Sequence, residues 1–375
     1  MTPTNSNTGK HSYWCTRHYI SMVLVFFITK LVSGLHVAVP VRRSPYFPRQ
    51  KFLTFVTSIE ATRLSDVAVE TLSVPLNTGV NAEVMLANPT KATNYPTLVF
   101  IHGSFHASWC WAKHYMPFFA SKGYSTAAIS LRGTGGTFAG EGVKKVQIQQ
   151  HVSDITAFLY WLQQEQNTSI PPVLLAHSFG GLTIMKYLER LYTQKNTESI
   201  EPLPLKGVCL MCSVPPSGNA KMTMRFIRRS LVDSYKLTVG FAMKKAITNK
   251  GLCRELFFGG TEDNGGITDD ELDEIQQRFN RDTTAMIDLP DLSKQLPSAL
   301  VSKETGAISF LDQLPPSLVI GATGDFVVDE KGVEETASYF GTQAKWVDSP
   351  HDVMLGTNWP NAANAILSWL EEQVV

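Results

Sequence analysis

Short apolar runs recur along the chain, each ending in small or polar residues. Residues 97–101 (Thr-Leu-Val-Phe-Ile), 172–175, 207–213, 317–321 (Ser-Leu-Val-Ile-Gly) and 345–347 (Lys-Trp-Val) read as buried strands. Residues 268–281, 330–340 and 359–370 carry helical spacing instead. About a hundred residues separate the strand ending at Ser213 from the one starting near Pro316. A simple crossover needs only about a dozen, so an insertion is expected there. Within it, residues 221–250 read as one long or two consecutive helices, with Gly240 a candidate break. Thr268 caps a further helix whose first turn is acidic.

The ends of these strands carry the candidate chemistry. After the run at 172–175 comes Ala176-His177-Ser178-Phe179-Gly180, then the helical Gly181-Leu182-Thr183-Ile184-Met185. A strand, a small-residue turn and a helix lift a serine hydroxyl clear of the sheet and leave the first helical N–H facing whatever it attacks. A serine hydroxyl is a weak nucleophile and needs a histidine base, an orienting carboxylate and oxyanion donors. Asp325 follows the strand at 317–321, and His351 follows the strand at 345–347. Asp329 rivals Asp325 but is also placed to cap the helix at 330–340. Asp352 adjoins His351, and neighbours in a loop rarely put a carboxylate on the adjacent Nδ1.

The pentapeptide around Ser178 resembles the nucleophile elbow of α/β-hydrolases, with Ala176 where glycine is usual. The order Ser178, Asp325, His351 is also that family's order. His102-Gly103-Ser104-Phe105-His106-Ala107-Ser108-Trp109 resembles its His-Gly loop, and Ser130-Leu131-Arg132-Gly133-Thr134-Gly135 its Arg-Gly loop. The resemblance covers roughly residues 64–375. It implies an α/β-hydrolase fold: an eight-stranded, mostly parallel sheet with helices on both faces and a helical cap insertion. It also implies catalytic Ser178, Asp325 and His351 and oxyanion N–H groups from Ser104 and Phe179; Phe105 and Trp109, in the oxyanion loop, read as pocket residues, and His177, pointing away from Ser178, as packed structurally or lining the pocket rim. His102 reads as a residue that fixes loop geometry. The His-Gly-x-x-His-x-x-Trp loop is similar to that of plant methylesterases and hydroxynitrile lyases. Those lyases usually place lysine after the catalytic histidine, where this chain has Asp352. Epoxide hydrolases and haloalkane dehalogenases use aspartate where this chain has Ser178.

Composition narrows the classes. The chain has 375 residues, 43% hydrophobic and 18% charged, enough to bury one domain and an insertion. Its formal net charge of zero gives no footprint for nucleic acid. The five cysteines lack disulfide-scaffold density. Cys209 and Cys212, three apart on a strand, are expected to face opposite sides as core residues. No cluster has metal-ligand spacing, and no cofactor is expected.

Residues 1–59 contain no acid and seven Lys/Arg, with an eleven-residue apolar run at 19–29. That run is short for a bilayer span and has secretory proportions. The basic, acid-free stretch after it resembles the second half of a bipartite presequence of algae with complex plastids. Residues 1–60 therefore read as a targeting segment to the secretory pathway (ER or secreted) or onward to a plastid. Residues 61–375 read as the hydrolase domain, with the cap at 214–312. From Lys221 to Arg254 there are nine Lys/Arg and one acid, interleaved with Met, Phe and Leu. That pattern allows either an ordinary amphipathic cap or a basic lid that contacts a membrane surface.

The resulting expectation is a serine hydrolase of carboxylic esters with an apolar, lipid-like small-molecule substrate. Another chemistry on the same scaffold (methylesterase, thioesterase, amidase, lyase) and a non-catalytic small-ligand receptor are the alternatives.

Overall fold

The computed structural model describes residues 67–193, 201–260 and 267–375. The expected targeting segment at 1–60 lies outside the described residues. Ten strands follow in chain order: β1 (Glu70–Pro75), β2 (Asn81–Ala87), β3 (Leu98–Ile101), β4 (Thr126–Ile129), β5 (Lys145–Val146), β6 (Val173–His177), β7 (Gly207–Met211), β8 (Met286–Ile287), β9 (Ser317–Gly324) and β10 (Ala344–Pro350). Eight form one sheet in the order β1-β2-β4-β3-β6-β7-β9-β10, and β5 pairs with β8 in a separate ribbon. Only β2 runs antiparallel to its neighbours; from β4 to β10 all pairings are parallel. The expected eight-stranded, mostly parallel sheet is therefore present.

Side-chain alternation along the strands divides the core in two. Val99, Ile101, Leu174, Ala176, Val208 and Leu210 pack on one face with the helices Ile148–Glu165, Phe179–Thr193 and Glu330–Tyr339. Leu98, Phe100, Val173, Leu175, Cys209 and Met211 face the other way, toward Tyr115–Ser121 and Trp359–Trp369. Strands covered on both faces explain why the sequence shows continuous apolar runs rather than alternation. Cys212 departs from expectation. Strand β7 stops at Met211, and Cys212 turns with φ +46°, so it joins the same core cluster as Cys209.

The chain leaves β3 for β4 on one side and returns to β6 on the other. The crevice at the carboxyl ends of β3 and β6 is thus the switch point where such sheets bind ligands. Between β7 and β9 lies the insertion, with helices Asn219–Arg229, Leu231–Leu237, Lys250–Phe257 and Asp269–Arg281. Ser230 caps the second helix through Asp233 N–H, and Gly240 falls in a wider turn, Thr238–Ala242. Thr268 caps Asp269–Arg281 as read, and with Glu271 it forms a full capping box. Among the described residues no helix is long and apolar enough to cross a membrane.

Candidate active site

Strand β6 is buried throughout and ends at His177; Ser178 follows with φ +53° as the first turn of Phe179–Thr193 begins. A non-glycine residue there stores on the order of 1–3 kcal/mol of strain unless its surroundings enforce it. Here they do. Ser178 N–H donates to Met211 O at 3.0 Å, and Ser178 O accepts from Gly181 and Val214 N–H at 3.0 and 3.2 Å. Gly180 packs so tightly that a Cβ would lie 2.7 Å from His102 O and 2.8 Å from Ile101 O. A Cβ on Gly103 would meet Ser178 Cβ at 2.7 Å. Ala176 sits inside the strand, fully buried and paired with Ile101 and Leu210, where its methyl is accommodated.

The loop after β3 approaches the same point. Neither Ser104 nor Phe179 N–H donates to any atom of the described residues. His102 fixes this loop, as expected. Its Nε2 accepts from Leu131 N–H at 2.9 Å, which leaves Nδ1–H to donate to Gly103 O at 2.8 Å. Burial holds this imidazole neutral, with its pKa lowered to about 4.

Asp325 and His351 come together. His351 Nδ1 lies 2.9 Å from both Asp325 carboxylate oxygens, and both side chains are 1% exposed. Val327 and Val328 N–H donate to Asp325 Oδ1 at 2.7 and 2.9 Å, so the carboxylate is oriented before it meets the imidazole. Burial alone would lower the His351 pKa. The charge and hydrogen bond of Asp325, with the charge of Asp352, outweigh it and hold the pKa above the ordinary histidine value. Asp329 is engaged elsewhere: it caps Glu330–Tyr339 through Gly332 N–H and binds Arg225 in a bidentate pair.

Asp352 turns away from His351 and binds His106, Oδ2 to Nε2 at 2.9 Å, with both side chains fully buried. His106 Nδ1 lies 2.9 Å from Ser104 O. His177, expected either packed or at the pocket rim, is a buried strut. It lines neither cavity found near the site and is 1% exposed, and its Nε2 lies 3.0 Å from His351 O. Cys212 was read only as core. It lies with His351 and Asp325 in a group whose ligand-type atoms fall within 4.8 Å of one another. Burial first, then the Asp325 charge, pushes its thiol well above the ordinary value, so it stays protonated beside the carboxylate. Its position directly after the last residue of β7 was the available signal. His106, His177 and Asp352 form a second such group. Within these groups His106 Nε2 and His351 Nδ1 are hydrogen-bonded to carboxylates and His177 Nε2 to His351 O.

The insertion roofs the site. Phe105, itself at φ +71°, packs against Phe241, Phe257 and Phe279 with ring centroids 5.2, 6.0 and 5.7 Å away. Phe257 also lies 6.2 Å from the His351 ring. Asp282, at the end of Asp269–Arg281, accepts from Trp109 Nε1 and Gly135 N–H, each at 2.8 Å, and so ties the insertion to both core loops. Phe105 lines a small cavity of about 40 Å³ that begins at Ser104 and Phe179. Trp109 lines a different one of about 400 Å³, with Met85, Lys113, Glu271, Arg278 and Leu355. Ser178 itself is only 6% exposed.

The sequence model of the alpha/beta hydrolase family matches residues 98–362. Methylesterase 1 of Arabidopsis thaliana is 29% identical over 92 residues, 24% of this chain, and the match spans 33% of that relative's length. Among solved structures, an esterase from Thermogutta terrifontis superposes with a TM-score of 0.54 at 17% identity, covering 82% of this chain and all of the other. Epoxide hydrolase A from Mycobacterium thermoresistibile gives 0.56 at 18% identity, covering 82% of this chain and 99% of the other. An enol-lactonase from Burkholderia xenovorans gives 0.53 at 15%, covering 81% and 100%. At these identities the superpositions speak to fold alone.

Proposed function

Because the chain belongs to the alpha/beta hydrolase family, we propose that it is a serine hydrolase of carboxylic esters acting through Ser178, His351 and Asp325. One observation carries the reading: a serine strained at the sheet's switch point adjoins His177, whose Nε2 lies 3.0 Å from the carbonyl of His351, a buried imidazole hydrogen-bonded to a preoriented carboxylate. His351 Nε2 takes the Ser178 hydroxyl proton as Oγ attacks the ester carbonyl. The N–H groups of Ser104 and Phe179 receive the developing oxyanion. His351 returns the proton to the departing alcohol, and water then cleaves the acyl-enzyme by the same route. No step calls for a metal or cofactor. Serine at position 178 favours this route over the aspartate chemistry of epoxide hydrolases.

The apolar partner in the reaction is the part of the ester nearest Phe257 and Phe241. Each methylene buried there contributes about 0.8 kcal/mol. On the insertion's outer surface Met224, Leu231, Val232 and Met243 are exposed beside Lys221, Arg228 and Arg229, which supports peripheral contact with an anionic membrane. Residues 1–60 would deliver the protein to the secretory pathway or a plastid. Cosedimentation with anionic vesicles and a reporter fused to residues 1–60 test these two extensions.

The central test is labelling with a fluorophosphonate probe. Wild-type protein should label, and Ser178→Ala should lose labelling and roughly a millionfold in ester turnover while remaining folded. A Ser178→Ala variant that keeps turnover within tenfold of wild type would end the serine mechanism.

A further inference from the structure

The small cavity beside Ser104 and Phe179 is bounded across from them by Ala285 and Met286, next to the ribbon that joins β5 to β8. One of its lining residues is unaccounted for by the fold. His151, in the first turns of Ile148–Glu165, is 6% exposed, and its buried Nδ1 has no hydrogen-bond partner. Apart from the half-buried Ser104 hydroxyl, the other polar side chains there are engaged. Thr134 donates to Leu131 O, Arg132 grips Asp154 with two bonds at 2.7 and 2.9 Å, and Asp282 accepts from Trp109 and Gly135. A buried unpaired imidazole nitrogen carries a desolvation penalty of about 1–3 kcal/mol that a ligand can relieve.

We propose that this cavity is an acyl subsite whose His151 hydrogen-bonds a hydroxyl group on a short acyl chain. The inference deepens the ester-hydrolase reading and rests on it. The acyl side follows from chemistry: His351 must reach the alcohol oxygen to protonate it, and none of Ser178, His351 and Asp325 lines this cavity, which meets the site only through Ser104 and Phe179. What extends past the oxyanion donors is therefore the acyl group. A hydroxyl fits because burial, with His102 and Arg132, lowers the His151 pKa to about 3. The ring is neutral, with one N–H and one lone pair, and a hydroxyl can meet either. A carboxylate is excluded, since the only guanidinium present is already paired and Asp282 adds a buried negative group. A cavity of about 40 Å³ holds only a few solvent-sized groups, so the acyl chain is short.

The test compares methyl butyrate with methyl 2-hydroxybutyrate and methyl 3-hydroxybutyrate. Wild-type kcat/KM should favour at least one hydroxy ester by about tenfold or more, the worth of one net hydrogen bond. His151→Leu should bring that ratio close to one, and His151→Gln, which keeps a donor and an acceptor, should retain part of it. Equal rates on all three esters in the wild type, or a preference that survives His151→Leu, overturns the subsite. Calorimetry on Ser178→Ala with butyrate and the two hydroxybutyrates reads the same ratio without turnover. Failure of the wild-type protein to label with fluorophosphonate therefore overturns the esterase reading separately from the subsite, and equal binding of the three acids overturns the subsite alone.

Discussion

Two histidines in this molecule hold carboxylates at the same distance. His351 meets Asp325 at 2.9 Å and His106 meets Asp352 at 2.9 Å, all four side chains being buried. Residues 351 and 352 are neighbours in sequence yet serve opposite pairs. The difference lies on the far side of each ring. His106 spends its second nitrogen on Ser104 O, whereas His351 Nε2 has no hydrogen-bond partner among the described residues. A histidine with both nitrogens committed can only hold things in place. One with a single nitrogen committed is oriented and still able to move a proton.

The comparison breaks most visibly in turnover. Asp325→Asn should reduce kcat by about ten-thousandfold, because an amide holds the imidazole in the wrong tautomer. Asp352→Asn should fall far short of that loss, since an amide oxygen still accepts from His106. Comparable losses in steady-state assays would mean that both pairs belong to the reaction.

Stability should show the reverse ranking. His106→Leu leaves Asp352 buried without its partner and should lower unfolding free energy by about 3–5 kcal/mol. The double change His106→Leu with Asp352→Leu removes the orphaned charge and should recover much of it. Denaturant melts that show the double variant no better than the single would argue that the pair is not linked.

The smallest effect is on pH. A base whose pKa is raised loses activity as pH falls through that raised value, so the acid limb of kcat/KM should have its midpoint above about 6.5. Asp352 contributes to the raising, so Asp352→Asn should move the midpoint downward. A midpoint that moves up, or stays fixed, would remove the electrostatic link between the two pairs.

Local signals carried much of this design. Strand ends, the turn at Ser178, the cap at Asp329 and the capping box of Thr268 each depend on residues within a few positions of one another, where propensity and hydrogen-bond geometry act directly. Asp325 could be preferred to Asp329 for the same reason, because the second was already committed to its helix. The pairing of His106 with Asp352 spans 246 positions and depends on how two loops converge. His177 was read both as packed and as at the pocket rim, and its contact with His351 O spans 174 positions, beyond what local spacing can show. His151 gave no pattern at all and Cys212 only its place after a strand, since a lone polar residue at a strand or helix end acquires meaning only from what packs over it.

The ring cluster above the site also sets how the substrate population is counted. Phe105, Phe241, Phe257 and Phe279 touch in five pairs with centroids 5.0–6.0 Å apart, and such pairs are worth about 0.5–1.5 kcal/mol each. An ester that has to part these rings on its way to Ser178 meets that cost first, and if only a fraction of molecules stands open, only that fraction admits it. Apparent affinity is diluted by that fraction. An ester able to replace the lost ring contacts regains it, and a small polar one does not. Selectivity would thus begin at the door, before Ser178 meets any carbonyl.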